Sequence, residues 1–255
     1  MRLGEDLAYL LSSYWQRFLL GLAGTLLLSI IGTGLGLFFG VFLALGKRWT
    51  ISAKDPFFLK LGKRIVKWLC LAYSAVIRGT PMMVQALLFK YGCMAMGVNW
   101  NNILPRIDVF NGWMVAGLIV ITLNTTAYMG EVVASGLNGV EKGQEEGARS
   151  LGLSSSQTLV SVILPQALRN AIPTIGNEWI INIKDSSVLN VIGVAELYFA
   201  AYNAANDSYA FMAAYLIIAI IYLLLTLLSN GVLRLIGIKL EGKAIFGFRR
   251  KEAHA

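Results

Sequence analysis

The sequence predicts an all-α membrane protein with five transmembrane helices, and three observations lead to this class. Of the 255 residues, 56% are hydrophobic and only 14% are charged, whereas soluble domains carry about 25% charged residues. Long uncharged runs occur, such as the 29 residues between Arg17 and Lys47, and about 20 apolar residues suffice to cross a bilayer. The cations, finally, gather in particular connections between these runs.

The apolar runs place the spans in one transmembrane domain of residues 1–255. The spans cover about 18–45, 79–97, 112–134, 172–196 and 209–233. The fourth span contains Glu178, Lys184 and Asp185. Because hydrocarbon tolerates charge poorly, we expect this span to line a cavity or to pack against protein.

The first span carries three glycines spaced four residues apart, Gly32, Gly36 and Gly40. Positions four apart share one helix face. A stripe of small residues on one face predicts close approach of another helix.

The segment of residues 55–77 mixes Lys and Arg with Phe, Leu, Ile and Trp. Asp55-Pro56 is typical of a helix start. We therefore predict an amphipathic helix at the cytoplasmic membrane surface, with a break at Gly79-Thr80-Pro81 before the second span.

The distribution of cations predicts the orientation of the chain. Sixteen of the 22 Lys and Arg residues lie in the stretches 46–67, 135–171 and 234–255, whereas only Arg2, Arg17 and Arg106 lie on the other side. Basic connections stay in the cytoplasm. The N-terminus is thus predicted outside and the C-terminus inside, which explains the net charge of +8 without nucleic acid. Such stretches can also contact anionic lipid headgroups.

The connection of about 141–165 has the pattern of ordered structure. Gly152 is predicted to end one short helix, and Ser154 with Gln157 resembles a capping box that opens a second. An ordered turn in the cytoplasm either docks a partner or forms a self-packed elbow between spans three and four. Composition leaves both alternatives open.

The residues of this connection resemble a known signature. Residues 146–165 are similar to the EAA loop of ABC-importer permeases, with Glu146, Ala148, Gly152, Leu164 and Pro165 in register and with Gly147 and Val162 as departures. The surroundings resemble the polar amino-acid family of these permeases, through Gly24-Thr25-Leu26, Arg78-Gly79-Thr80-Pro81, Tyr128, Glu131, Asn177-Glu178 and Lys184-Asp185-Ser186-Ser187. Ala134 stands where that family often has arginine, so the resemblance gives no role to that position.

The resemblance implies a transport subunit without enzymatic activity in the plasma membrane of a bacterium. Such permeases pair as dimers, receive their solute from an extracellular or periplasmic binding protein, and lay a coupling helix onto a cytoplasmic ATPase. No GxxxxGK[ST] occurs in the sequence, so we expect ATP and Mg to be bound by that partner and no cofactor by this chain. The implied coupling residues are Glu145, Glu146, Gly147, Ala148, Arg149, Gly152, Leu164 and Pro165.

Polar and charged residues in spans three and four are the candidates for the substrate path. They are Asn124, Thr125, Tyr128, Glu131, Asn177, Glu178, Lys184 and Asp185. We expect the Glu178 carboxylate to bind the ammonium group of an amino acid. Asn177 and Thr125 are expected nearby as neutral hydrogen-bonding partners of the same substrate. Alternatively, Lys184 pairs with Asp185 or Glu131 to hold span four, and Glu131 supports the EAA loop from the cytoplasmic mouth. We expect the run Lys184–Ser187 to break span four.

Two other functional classes compete with this one. An ion-coupled secondary transporter or channel would use intramembrane charges, but it predicts internal repeats, and residues 18–97 and 112–233 show no convincing repeat. An intramembrane enzyme has little support, because the spans contain no Ser/His, Ser/Lys or paired-Asp arrangement. The two cysteines and one histidine form no cluster, so no metal site is expected.

Overall fold

The structure is a computed structural model that describes residues 3–53, 55–103 and 111–241. Some of the cations counted for the orientation, among them Lys54, Arg106 and Lys243, lie outside the described residues. Within the described residues the chain consists of helices joined by short turns. The helices are α1 Leu3–Ser13, α2 Trp15–Arg48, α3 Phe57–Gly79, α4 Met82–Ala95, α5 Gly112–Asn138, α6 Lys142–Ser150, α7 Ser155–Thr158, α8 Leu164–Asp185, α9 Leu197–Ser208 and α10 Phe211–Glu241.

Helices α2 and α5 form the centre of the molecule and run in the same direction. A Cβ atom at Gly32 would lie 2.7 Å from Ile121, one at Gly36 2.6 Å from Thr125, and one at Gly40 2.6 Å from Met129. The close approach predicted from the three glycines is therefore confirmed. Because the contacting residue numbers rise together along both helices, the chain between them must return across the molecule.

The returning chain consists of α3 and α4. The break predicted at Gly79-Thr80-Pro81 is confirmed, because α3 ends at Gly79 and α4 begins at Met82. Helix α4 has 14 residues and is about 21 Å long, which is shorter than the predicted second span and than a bilayer core of about 30 Å.

Helix α3 packs against the end of α2 and is anchored at its own start. A Cβ atom at Gly46 would lie 2.7 Å from Cys70 and 3.7 Å from Val66, and the Lys47 ammonium donates to Ser74. The Lys63 ammonium donates to Asp55 at 2.8 Å and lowers the pKa of that carboxyl group.

The predicted fourth span differs from the observed element. Ser155–Ile192 forms one continuous helix through a π turn at Leu159–Ile163, so the second helix of the loop does not stop at Pro165. Pro165 lies just after the π turn. The α-helical hydrogen-bond pattern is already interrupted there, so the missing N–H group of proline is tolerated.

The break in this span lies further along the chain than predicted. After Asp185 the chain continues as a 3₁₀ helix, Ser186–Ile192, and it bends by 53° before α9. Gly193 provides the turn with a φ of 94°, a conformation that favours glycine. The polar run Lys184–Ser187 therefore changes the type of helix without ending it.

Among the described residues, three helices have the length and apolar character of membrane spans, and a bent pair can count as a fourth. Three are α2, α5 and α10, and the bent pair of Ser155–Ile192 with Leu197–Ser208 is the fourth if it counts as one span. Helix α5 is antiparallel to this bent segment, because a Cβ atom at Gly136 would lie 2.4 Å from Ala167 and one at Gly117 would lie 2.7 Å from Val194. Alanines of α9 and α10, such as Ala201 and Ala214, pack with Leu10 and Phe18 in one core cluster.

Candidate functional site

The predicted coupling connection is an exposed helical turn. Helix α6 ends in two backbone hydrogen bonds, from the Leu153 N–H to Ala148 and from the Gly152 N–H to Arg149. The φ of Gly152 is 86°, which confirms the predicted stop. The capping box is confirmed as well: the Ser154 hydroxyl accepts from the Gln157 N–H, and the Gln157 side chain accepts from the Ser154 N–H.

This turn presents a bare surface. Glu145, Glu146, Gly147 and Arg149 are exposed, and a Cβ atom at Gly147 or Gly152 would meet nothing within 4 Å. Leu151, which sequence reasoning missed, is 84% exposed at the tip. The outer side of this turn is therefore open within the described residues.

The inner side of the same turn packs on the protein. Ala148 is buried, Leu164 is half-buried and Pro165 is exposed. Gln166 of α8 donates to Gln144 of α6 at 3.2 Å. The connection therefore has features of both alternatives: it packs on α8 from one side and is open on the other.

A buried polar network joins three helices near the middle of α5. The Thr125 hydroxyl donates to Asn182 at 3.1 Å, and Asn182 donates to Thr33 at 2.8 Å. Next to it, Asn124 donates to Gln85 at 3.0 Å. Sequence reasoning found Asn124 and Thr125 but missed Thr33, Gln85 and Asn182, although each is a polar residue in an apolar run.

Glu131 lies in a cluster of charged residues from α2, α3 and α5. Its carboxylate pairs with Lys47 at 2.7 Å and with Arg78 at 3.0 Å. The Arg78 guanidinium lies 5.8 Å from the centre of the Tyr128 ring. Within the described residues no ion pair joins Lys184 to Glu131 or to Asp185. Lys47 is the nearer cation because α2 and α5 are parallel neighbours whose final turns meet.

The candidates on α8 lie on a partly exposed face of that helix. Asn177 and Lys184 are exposed, and Glu178 and Asp185 are half-buried. Thr125 is 1% exposed and bonded to Asn182, so the structure does not place it with Asn177 as a partner of Glu178.

Glu196 is a buried carboxyl group that sequence reasoning placed only at the end of a span. It is 0% exposed and accepts hydrogen bonds from the N–H groups of Tyr198 and Phe199 and from the Tyr222 hydroxyl. These bonds cap α9 at the bend of the fourth span. The signal in the sequence was a lone Glu beside Gly193, where a turn can begin.

Known proteins are similar to this chain over most of its length. The chain is 33% identical over 226 residues to the arginine transport system permease protein ArtQ of Bacillus subtilis, covering 87% of this chain and 91% of that protein. It is 32% identical over 226 residues to the glutamine transport system permease protein GlnP of Escherichia coli, covering 88% and 94%.

Solved structures and a family model agree with these relatives. A crystal structure of an amino acid ABC transporter with histidines matches with a TM-score of 0.73 and 34% identity, over 89% of this chain and 95% of that one. The MetNI methionine ABC transporter in an inward-facing conformation matches with a TM-score of 0.59 and 16% identity, which shows a shared fold. The model of binding-protein-dependent transport system inner membrane components matches residues 36–241. The chain therefore belongs to this family, the permease subunits of ABC transporters, as the resemblance of its EAA loop implied.

Proposed function

We propose that this chain is the transmembrane subunit of an ATP-driven importer that moves a polar amino acid into the cytoplasm. The observation that carries the proposal is the turn around Gly152, because it is ordered, exposed and continuous with α8. A force applied to this turn reaches Glu178 and Asp185 through one helix. The two relatives named for arginine and glutamine transport support an amino acid as the solute.

The proposed topology has five crossings. They are α2, the pair α3–α4, α5, the bent segment α8–α9, and α10. Parallel α2 and α5 require a single return between them, and the antiparallel arrangement of α5 with α8 continues the alternation. The cation distribution favours an outside N-terminus and a cytoplasmic C-terminus, in the plasma membrane of a bacterium.

The partners follow from the surfaces of the chain. A cytoplasmic ATPase, which binds ATP and Mg, covers the exposed turn with Glu146, Gly152 and Leu151. A second permease subunit, the same or a homologous chain, covers the open face of α8. A solute-binding protein delivers the amino acid to the opposite ends of the spans.

The proposed substrate path runs along the open face of α8 towards Glu131. The Glu178 carboxylate accepts a hydrogen bond from the ammonium group of the amino acid. Such a charge-assisted hydrogen bond is stronger than one between neutral groups. Asn177, Lys184 and Asp185 lie along the same segment. Asn124, Thr125 and Tyr128 shape the wall that α5 contributes.

The test is reconstitution of the permease with an ATPase and a solute-binding protein. The permease should co-purify with a chain that has a phosphate-binding loop, and polar amino acids should stimulate ATP hydrolysis in the reconstituted complex. Uptake driven by an ion gradient without any ATPase would contradict the proposal and favour a secondary transporter.

A further inference from the structure

A cavity of about 810 Å³ lies between the end of α2, α3 and the start of the α7–α8 helix. Its volume falls within the roughly 300–1,000 Å³ of small-ligand sites. Much of the wall is apolar and includes Phe39, Phe42, Leu43, Val66 and Leu159. None of the residues proposed for the substrate path borders it. Glu145 is the one coupling candidate on its wall.

One buried polar group on the wall has no partner. The Thr158 side chain borders the cavity and is 1% exposed. Its hydroxyl forms no hydrogen bond within the described part of the chain. Because an unsatisfied buried hydroxyl is unfavourable, this atom favours a ligand that brings a hydrogen-bonding group.

Among the described residues, the wall of the cavity carries one cation, Arg48, and one carboxylate, Glu145. Arg48 also borders a smaller, more polar cavity of about 490 Å³, which Glu141 and Glu146 line as well. The Arg48 guanidinium donates to Asn138 at 2.6 Å and keeps further N–H groups with which it can bind an anion. Arg64 and Lys67 lie near Val66 on α3 without bordering the cavity, and neither forms an ion pair among the residues that the structure describes. The carboxylate of Glu145 has its own cation, Arg149, at 4.0 Å.

We propose that this cavity binds one anionic phospholipid of the cytoplasmic leaflet. Phe39 and Phe42 are 48% and 59% exposed on α2, a helix that spans the membrane, so this wall meets hydrocarbon. An apolar cavity beside lipid chains accepts an acyl chain, while Arg48 and Thr158 bind the phosphate and glycerol oxygens. Arg64 and Lys67 add attraction for a negative headgroup.

The location links this lipid to the coupling turn. The cavity has α2 and α3 on one side and Ser155, Thr158 and Leu159 on the other. A bound lipid therefore braces the helix that follows Gly152 against the spans. This regulatory role depends on the proposed importer function, whereas the binding of the lipid does not.

The native Cys70, which borders the cavity, serves as the probe. The full chain with Cys93→Ala is purified in detergent, and labelling of Cys70 by N-ethylmaleimide is followed by mass spectrometry. Phosphatidylglycerol should slow the labelling several-fold, at concentrations where phosphatidylcholine with the same acyl chains has little effect. Native mass spectrometry should show one retained phosphatidylglycerol for each permease chain.

Two variants test the headgroup contact. Arg48→Gln should weaken the protection by phosphatidylglycerol about fivefold, the effect of one cation near an anionic lipid surface. Thr158→Val should weaken it as well. The matched control is Arg234→Gln, which removes an exposed cation of α10 that does not border the cavity and should leave protection unchanged. Thermal unfolding without lipid checks that each variant is folded.

Several results would overturn the proposal. Equal protection of Cys70 by both lipids would show that the cavity does not select an anionic headgroup. No protection by either lipid would show that the cavity is not a lipid site. Protection of Cys70 by an added ATPase subunit in lipid-free detergent would assign the cavity to that interface. If Arg48→Gln does not fold, the comparison of the two lipids on the parent protein still decides.

Discussion

Individual charged residues of this chain are compensated in different ways. The Lys47 side chain is 9% exposed and pairs with Glu131. Glu178, in contrast, forms no ion pair with any residue that the structure describes. A compensated charge on helices that touch holds those helices together. An uncompensated carboxylate on an open helix face is available to a ligand or to a second subunit.

Glu178→Gln tests the uncompensated carboxylate. The amide keeps the shape but removes the charge, so substrate binding should weaken by about ten- to a hundredfold. The loss should be larger for arginine or lysine than for glutamine, because their side chains add a second positive group. The measurement is the dependence of ATPase activity on substrate in the reconstituted complex.

The control for this variant is Asp207→Asn. Asp207 is also a carboxylate, but it pairs with Arg17 at 2.6 Å on exposed surface. The dependence of ATPase activity on substrate should be the same for Asp207→Asn as for the parent protein. An unchanged response of Glu178→Gln would mean that Glu178 has a structural role, and the site would then lie around Asn124 and Tyr128.

A double-mutant cycle tests the compensated charge. Glu131→Gln and Lys47→Met should each destabilise the protein, and the double variant should lose less than the sum. We expect a coupling free energy of about 0.5–2 kcal/mol, since Glu131 is 43% exposed and solvent weakens the pair. The measurement is unfolding in detergent micelles, and purely additive losses would show that the pair is not coupled.

At the scale of elements, glycines have two separate roles in this chain. Gly40 lets α2 approach α5, and Gly152 lets the chain turn between α6 and α7. The first role depends on the absence of a side chain and the second on a positive φ. Each role has a matched control glycine in the same element or segment.

Gly40→Ala should destabilise the packing of α2 on α5. The new Cβ atom would lie 2.6 Å from the Met129 Cβ and 3.0 Å from the Gly130 nitrogen, and we expect a loss of about 1–3 kcal/mol. Gly34→Ala in the same helix meets nothing within 4 Å and should be neutral or stabilising by up to about 1 kcal/mol. Thermal unfolding of both variants decides, and equal melting temperatures would contradict the packing role.

Gly152→Val should prevent the ATPase subunit from binding while the permease still reaches the membrane. A β-branched residue at a φ of 86° is strained, so the turn must rearrange. Gly143→Val in α6 adds the same side chain in open space without that strain and should bind more ATPase than Gly152→Val does. Co-purification of the ATPase with membrane-inserted variants is the readout, and normal transport by Gly152→Val would contradict the docking role.

At the scale of the whole molecule, the parallel pair α2 and α5 and the antiparallel α8 set the alternation of crossings. In the proposed topology, the cation distribution places the N-terminus outside. Helix α4 is shorter than a bilayer core, so the second crossing is assigned to α3 and α4 together. The short 3₁₀ helix Trp100–Asn102 precedes the start of α5 and the tip at Leu151 follows its end, so the proposal places them on opposite sides of the membrane.

Labelling of single cysteines with an impermeant thiol reagent tests the orientation. The parent variant has both Cys70 and Cys93 replaced by alanine. In intact cells that produce it, Asn101→Cys should react with the reagent from outside. Cysteines at Leu151 and at Lys243 should react only after the membrane is opened, because the basic stretches remain in the cytoplasm. Labelling of Lys243→Cys from outside would reverse the proposed topology.

The sequence by itself determined the features that depend on local chemistry. Apolar length defined α2, α5 and α10, glycine spacing defined the face of α2 that is closely packed, and capping residues defined the turn at Gly152. Each depends on residues within a few turns of one another. For the same reason, the EAA resemblance could be recognised from a contiguous segment.

Only the tertiary structure decided which distant groups meet. It paired Glu131 with Lys47 and Arg78, whereas one alternative from the sequence paired it with Lys184. It joined Thr125 to Asn182 and buried Glu196 as the cap of α9. It also moved the bend from Lys184–Ser187 to Gly193. The physical reason is that hydrogen bonds and ion pairs act over a few ångströms between helices, so their partners depend on helix direction and register, which no single segment encodes.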